Sequence, residues 1–169
     1  SMQTIAYSSP WIPPEWIVAH GMKPGYVRLL AADAGGLAAN SRGVCPYAGA
    51  LVDAALSGLD AAALVMTTVC DQMRYATALL DSRGSLPVFL MNVPSTWRTP
   101  VARRIYRDEL KRLGRFLEKL GGRAASDDDL AGTMLEYDKA RTAFRQAQPL
   151  LSGRPLSQAV VGLRGGLTA

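Results

Sequence analysis

Cysteine and histidine are scarce in this chain. Its 169 residues hold two cysteines, Cys45 and Cys70, and one histidine, His20. Two thiols this far apart exclude a disulfide-built scaffold and any CxxC zinc or thioredoxin motif. Long apolar runs are missing too. Nothing approaches the roughly 20 residues of a membrane span, and the start lacks the basic and apolar stretches of a signal peptide. The chain therefore reads as soluble and cytoplasmic. Disorder and collagen-like composition are excluded by 49% hydrophobic and 20% charged residues, which fit one globular domain or a domain with a small appendage. The net charge of +5 allows anionic partners such as nucleic acid, phosphorylated cofactors or acidic proteins, without choosing among them.

Short apolar runs alternate with helical patterns through the first half, as in parallel βαβ units. Strands are expected at 4–8, 26–30, 62–68 and 87–93, the last two apolar throughout as strands buried on both faces are. Helices are expected from Pro13 and Pro14 to Gly21, over 46–56, where Gly58 closes the turn, and over 71–80. From Pro100 the pattern changes to two long helices. Val101, Ile105, Leu110, Leu113, Phe116, Leu117 and Leu120 mark an inward face of the first. Ser126 with Asp127, Asp128 and Asp129 opens the second as a capping box, and it runs to about Ala147. The architecture read from this is an open, mostly parallel, four-stranded sheet of Rossmann-like or flavodoxin-like type with flanking helices, then two long C-terminal helices. Its expected divisions are an α/β domain over 2–99, a helical appendage over 100–149, and a poorly ordered tail over 150–169 with a short helix near 156–163.

In such a sheet, ligands sit beyond the carboxyl ends of the strands, where helix amino termini offer N–H groups. Three features converge on that edge. Ser8 and Ser9 follow the first strand, Ser41-Arg42-Gly43-Val44-Cys45-Pro46-Tyr47 leads from the second strand into a helix, and Val69-Cys70-Asp71 follows the third. Both cysteines thus fall at helix N-termini, a setting that suits thiolate ligation of a metal or an anionic iron–sulfur cluster. Taken singly, each is as well read as a small apolar side chain.

The phrases Cys45-Pro46-Tyr47, Cys70-Asp71-Gln72-Met73-Arg74 and Asn92-Val93-Pro94 occur in this order after their strands. They continue through Tyr106, Glu109-Leu110, Leu117-Glu118, Gly122, Leu130 and Tyr137-Asp138-Lys139-Ala140-Arg141, and are preceded by Pro14-Glu15-Trp16-Ile17 with Gly21. In order and spacing, from about residue 5 to residue 160, the chain resembles the D-component family of 2-hydroxyacyl-CoA dehydratases, which includes benzoyl-CoA reductase subunits. The family usually has Asn at the position of Asp138.

That resemblance implies a [4Fe-4S] cluster and the one-electron dehydration of an acyl-CoA, with an ATP-dependent activator protein supplying the electron. It implies Cys45 and Cys70 as metal ligands, with Pro46, Tyr47 and Asp71 beside the cofactor. Ser8, Ser9 and Arg42 are the catalytic candidates by strand-end topology and analogy. The family's third ligand lies in a second α/β domain, which would begin where this chain stops. The third cysteine is thus missing, and the expected reading is the N-terminal half or a component of such a lyase. The expected partners are an acyl-CoA substrate, the activator, and a second copy or a complementary dehydratase subunit. In a symmetric dimer, four thiolates would complete a shared cluster. Two rivals stand beside it: a cluster-free scaffold or partner-binding domain of the same fold, and a CoA-binding accessory.

Other residues have plainer readings. His20 closes the first helix and is read as a cap or surface residue rather than a ligand. Trp11, Trp16 and Trp97 are read as packing residues. Arg74 either offsets cluster charge or is solvated. Arg103, Arg107, Lys111 and Arg115 form a basic stripe read as a solvated face, with CoA phosphates or a redox partner as the alternatives. Nucleic acid is the weakest, because Asp108, Glu109 and Glu118 share the helix and no binding motif accompanies them.

Overall fold

The computed structural model describes residues 2–29, 43–84 and 86–165. Strands β1 (Thr4–Tyr7), β2 (Lys23–Tyr26), β3 (Ala63–Thr67) and β4 (Val88–Met91) form one all-parallel sheet in the order β2-β1-β3-β4. The helices are α1 (Pro14–Ala19), α2 (Pro46–Leu56), α3 (Asp71–Arg83), α4 (Pro100–Lys119), α5 (Asp127–Ala147) and α6 (Gly153–Gly165). This is the open α/β sheet with two long helices after it that the sequence pattern predicts. A short 3-10 turn, Gln148–Leu150, joins α5 to the residues before α6.

Alternation along the strands sorts side chains into two cores. Ile5, Tyr7, Ala63, Val65, Phe89 and Met91 face α1 and α4, where Ile17, Leu113 and Leu117 meet them. Ala6, Leu64 and Met66 face α2 and α3, against Leu51, Val52, Met73, Ala76 and Leu80. Every residue of β3 is buried, as an interior strand covered on both faces requires.

The second strand lies three residues earlier than the apolar pattern at 26–30 predicts. Lys23 and Val27 donate to the carbonyls of Gln3 and Tyr7, so the intervening Pro24 turns its nitrogen to the open edge, where no donor is needed. Gly25 is required by close approach, since a Cβ there would lie 2.8 Å from Thr4 Cγ2. Val27 still reaches the α2/α3 core, just beyond the strand.

In α4, Thr99 caps the first turn by accepting from Ala102 N–H at 3.1 Å, with Pro100 in the first helical position. Ala102, Leu113 and Leu117 are buried, whereas Val101 and Ile105 are exposed, contrary to the expected inward face. At about 100° per residue, these two lie off the stripe that carries Ala102, Tyr106, Leu113 and Leu117. The capping box of α5 is present: Ser126 Oγ accepts from Asp129 N–H, and the Asp129 carboxylate accepts from Ser126 N–H, each at 3.1 Å. The Ser126 hydroxyl, donating to the Asp129 carboxylate at 2.7 Å, and the Ser126 N–H together hold that carboxyl below its ordinary range.

Helix α5 meets α1 through the Glu15–Arg141 ion pair and the buried ring of Tyr137. Helix α6 lies against β2. The Tyr7 hydroxyl donates to the Arg164 carbonyl, and Arg164 Nη1 donates to the Tyr26 hydroxyl at 3.2 Å. No helix among the described residues is long and apolar enough to cross a membrane.

Candidate functional site at the carboxyl edge of the sheet

From β1 the chain crosses to β2 on one side, while β3 lies on the other. The crevice between the carboxyl ends of β1 and β3 is therefore the topological switch point of the sheet. Ser8 and Ser9 leave β1 there, and both are buried. The Ser9 hydroxyl accepts from Trp11 N–H at 3.3 Å, and the Ser8 carbonyl accepts from the Tyr47 hydroxyl at 3.1 Å. Burial pushes the Tyr47 phenol above its ordinary range, and the charge of Tyr26 adds to this.

Cys45 and Cys70 are the N-cap residues of α2 and α3, as the sequence predicts. Neither side chain makes a capping hydrogen bond. Each sulfur therefore belongs to a residue where a helix begins and where its first-turn N–H groups favour negative charge. Cys45 is half-buried and Cys70 is exposed. The two phrases meet through Gln72, whose Oε1 accepts from Cys45 N–H at 3.0 Å. Pro46 occupies the first position of α2. Asp71 is exposed in the first turn of α3 and lies 3.7 Å from Arg74, a surface pair worth little stability. Arg42 lies outside the described residues.

The structure thus connects Ser8, Tyr47, Cys45 and the Cys70 phrase along one edge. Sequence reasoning assigned no role to Gln72. Its only signal is its place two residues after Cys70, in the first turn of a helix. Among the described residues no group of three or more His, Cys, Asp or Glu side chains comes together. The two cysteines are half of a four-thiolate set, so these 169 residues do not by themselves supply the usual ligands of a cluster.

A second feature of this edge was not anticipated. A cleft of about 690 Å³ opens between the segments after β1 and β4 and the first turns of α4. Trp11, Val93, Pro94, Trp97 and Tyr106 supply apolar walls, and Arg103 and Arg107 stand on α4 beside them. Trp11 is 48% exposed and Trp97 67%, so these two are not the packing residues expected, whereas Trp16 is half-buried and rests on His20. The cause is local. Both backbone groups of Trp11 are held, its N–H by Ser9 and its carbonyl by the Tyr106 hydroxyl at 2.8 Å, which leaves the indole at the cleft. Burial raises the Tyr106 phenol to about 12, with Glu15 contributing its charge.

The wall after β4 is equally fixed. Thr68 Oγ1 accepts from Val93 N–H at 3.0 Å, and Glu109 Oε2 accepts from Asn92 N–H at 2.7 Å. Glu109 also receives two bonds from Arg112, whose guanidinium lies 4.2 Å from the Phe89 ring centre. Burial pushes the Glu109 carboxyl up, but the bonds from Arg112 and Asn92 outweigh it and hold the group below its ordinary value. His20 is the C-cap of α1, as expected, but it is buried, with Nδ1 2.7 Å from the Trp16 carbonyl.

The chain was compared with known proteins on this footing. No significant match was found among curated proteins. The family described as 2-hydroxyglutaryl-CoA dehydratase, D-component, matches residues 11–161. That span contains α1, both cysteine phrases, the cleft and both long helices. The chain belongs to the 2-hydroxyglutaryl-CoA dehydratase D-component family.

Proposed function

We propose that this protein is a component of an iron–sulfur-dependent 2-hydroxyacyl-CoA dehydratase or benzoyl-CoA reductase type system, and that it contributes Cys45 and Cys70 as two thiolate ligands. The observation that carries this reading is the pairing of the two N-cap cysteines at one sheet edge, tied by the Gln72 to Cys45 hydrogen bond. A bound [4Fe-4S] cluster would supply one-electron chemistry. The residues of this chain would hold and orient it: α2 and α3 aim their amino termini at the anionic cofactor, and Tyr47 fixes the segment after β1 beside it. Ser8, Ser9 and Arg42 are proposed to neighbour the acyl-CoA. The α/β unit over 2–99 is the cluster-binding part, and the helices over 100–149 are its appendage.

These 169 residues offer two thiols, and the remaining ligands of a four-thiolate set are proposed to come from outside them, with another copy or a complementary dehydratase subunit as the candidate sources. The ATP-dependent activator is the proposed electron donor. The same count of thiols favours one rival, a cluster-free partner-binding domain of this fold.

Anaerobic reconstitution with iron and sulfide separates the two readings. The proposal expects iron retention, thiolate-to-iron absorption in the visible, and loss of both in Cys45→Ala and in Cys70→Ala. Absent iron retention under these conditions, with the double variant indistinguishable from the parent, would establish the partner-binding reading instead.

A further inference from the structure

Strand β4 ends the sheet on one side, and among the described residues no fifth strand lies beyond it. A strand in that place presents a row of backbone groups with which another chain can pair. The ladder to β3 identifies those groups. Leu64 N–H and Thr68 N–H donate to the carbonyls of Pro87 and Met91, so the odd-numbered residues of this stretch serve β3. In a parallel ladder, successive residues turn their groups to opposite sides, and Val88, Leu90 and Asn92 therefore face outward.

Two of these outward groups are taken by side chains of α4. Arg112 Nη2 donates to the Leu90 carbonyl, and Glu109 Oε2 accepts from Asn92 N–H at 2.7 Å. In a parallel pair, a single residue of the neighbouring strand would do both, donating its N–H to Leu90 and accepting with its carbonyl from Asn92. Glu109 and Arg112 thus fill the place of one residue of an absent strand. Their aim is fixed by the two bonds between them, Arg112 Nε to Glu109 Oε1 at 3.1 Å and Nη2 to Oε2 at 2.7 Å, and by the Phe89 ring under the guanidinium.

Without these side chains the edge is complementary to itself. Two copies of β4 related by a two-fold axis run antiparallel, so that Leu90 exchanges both its bonds with its mate and Val88 meets Asn92. We propose that Glu109 and Arg112 guard this edge: standing in for a fifth strand, they keep β4 from pairing with β4 of a second copy of this chain.

The test is sedimentation of the full chain, free of iron, over a range of concentrations. The parent's mass, whatever assembly its other surfaces form, is the reference. Glu109→Ala with Arg112→Ala should double that mass as concentration rises. Glu109→Gln with Arg112→Lys, which keeps an acceptor and a donor, should leave it unchanged. Adding Val88→Pro to the alanine pair removes an outward N–H outside the β3 ladder and should restore the parent's mass. Circular dichroism and cooperative thermal unfolding establish that the variants fold. Should the alanine pair fail to fold, Arg112→Ala alone frees the Leu90 carbonyl while leaving the Asn92 bond, and should double the mass at higher concentration. A folded alanine variant that keeps the parent's mass throughout overturns the proposal, as does association that Val88→Pro does not reverse or that the conservative pair shares. With no iron in the samples, none of these outcomes depends on the thiolate reading.

Discussion

Gln72 Oε1 accepts the backbone N–H of Cys45 at 3.0 Å, so that one amide side chain of the Cys70 phrase reaches back 27 positions to the other cysteine. The bond fixes where α2 begins relative to α3. It also satisfies a partly buried amide that would otherwise carry a desolvation cost.

Gln72→Leu should therefore destabilise the protein by about 1 kcal/mol in urea unfolding. Peptide-mapped alkylation under reducing conditions should show Cys70, which is exposed, reacting before the half-buried Cys45 in the parent. The variant should accelerate Cys45 alone. Equal rates at Cys45 in both proteins would mean that the bond does not hold the N-cap.

Gly114 faces His20 closely: a Cβ there would lie 2.7 Å from the ring Nε2 and 3.5 Å from Trp16 Nε1. In an open helix, Gly→Ala stabilises by about 1 kcal/mol. Here the His20 ring is buried and pinned to the Trp16 carbonyl, so overpacking of about 1–3 kcal/mol should win and Gly114→Ala should lower stability. In a His20→Ala background the same change should be neutral or stabilising. A double-mutant cycle by denaturant unfolding reads the coupling directly.

Glu109 is held ionised by Arg112 and by Asn92 N–H. A carboxyl lowered in the folded state adds stability above its unfolded value of roughly 4.3, and that stability is lost as pH falls through the folded value. Glu109→Gln should thus cost about 1–3 kcal/mol at neutral pH, with the two proteins converging on acidification. A constant gap across the acid range would contradict the assignment.

Tyr106 gives the opposite limb. Its phenol titrates at about 12 in the folded protein. The unfolded chain releases the proton near 10, so stability should decline as pH climbs between these values. Tyr106→Phe removes the bond to the Trp11 carbonyl and should cost about 1 kcal/mol near neutrality. Above pH 10 the variant should decline less steeply than the parent.

Helix α2 was legible at both ends, because Pro46 starts it and the chain turns at Ser57 and Gly58, signals confined to a few neighbouring residues. The capping box at Ser126 was legible for the same reason. The position of β2 was not. Its Pro24 and Gly25 read locally as breakers, and only the open edge of the sheet and the nearby Thr4 make them acceptable in a strand. The N-cap placement of both cysteines followed from strand and helix boundaries, whereas the link through Gln72 needed the packing of α2 against α3. Trp11 and Trp97 were taken for packing residues because a tryptophan's composition signal is that of a core residue. What turns Trp11 outward is a pair of backbone bonds, one of them from Tyr106, 95 positions away.

The bond from Tyr7 to the Arg164 carbonyl spans 157 positions, and Arg164 reaches back to Tyr26 as well. Contacts so distant along the chain close large loops and form late in folding. During synthesis, the sheet and its two cysteine-capped helices can assemble while α6 is still inside the ribosome. The fastening of β1 and β2 must wait until translation has passed Arg164. Released chains that end before α6 should accordingly show β1 and β2 more open to proteolysis than chains that include it.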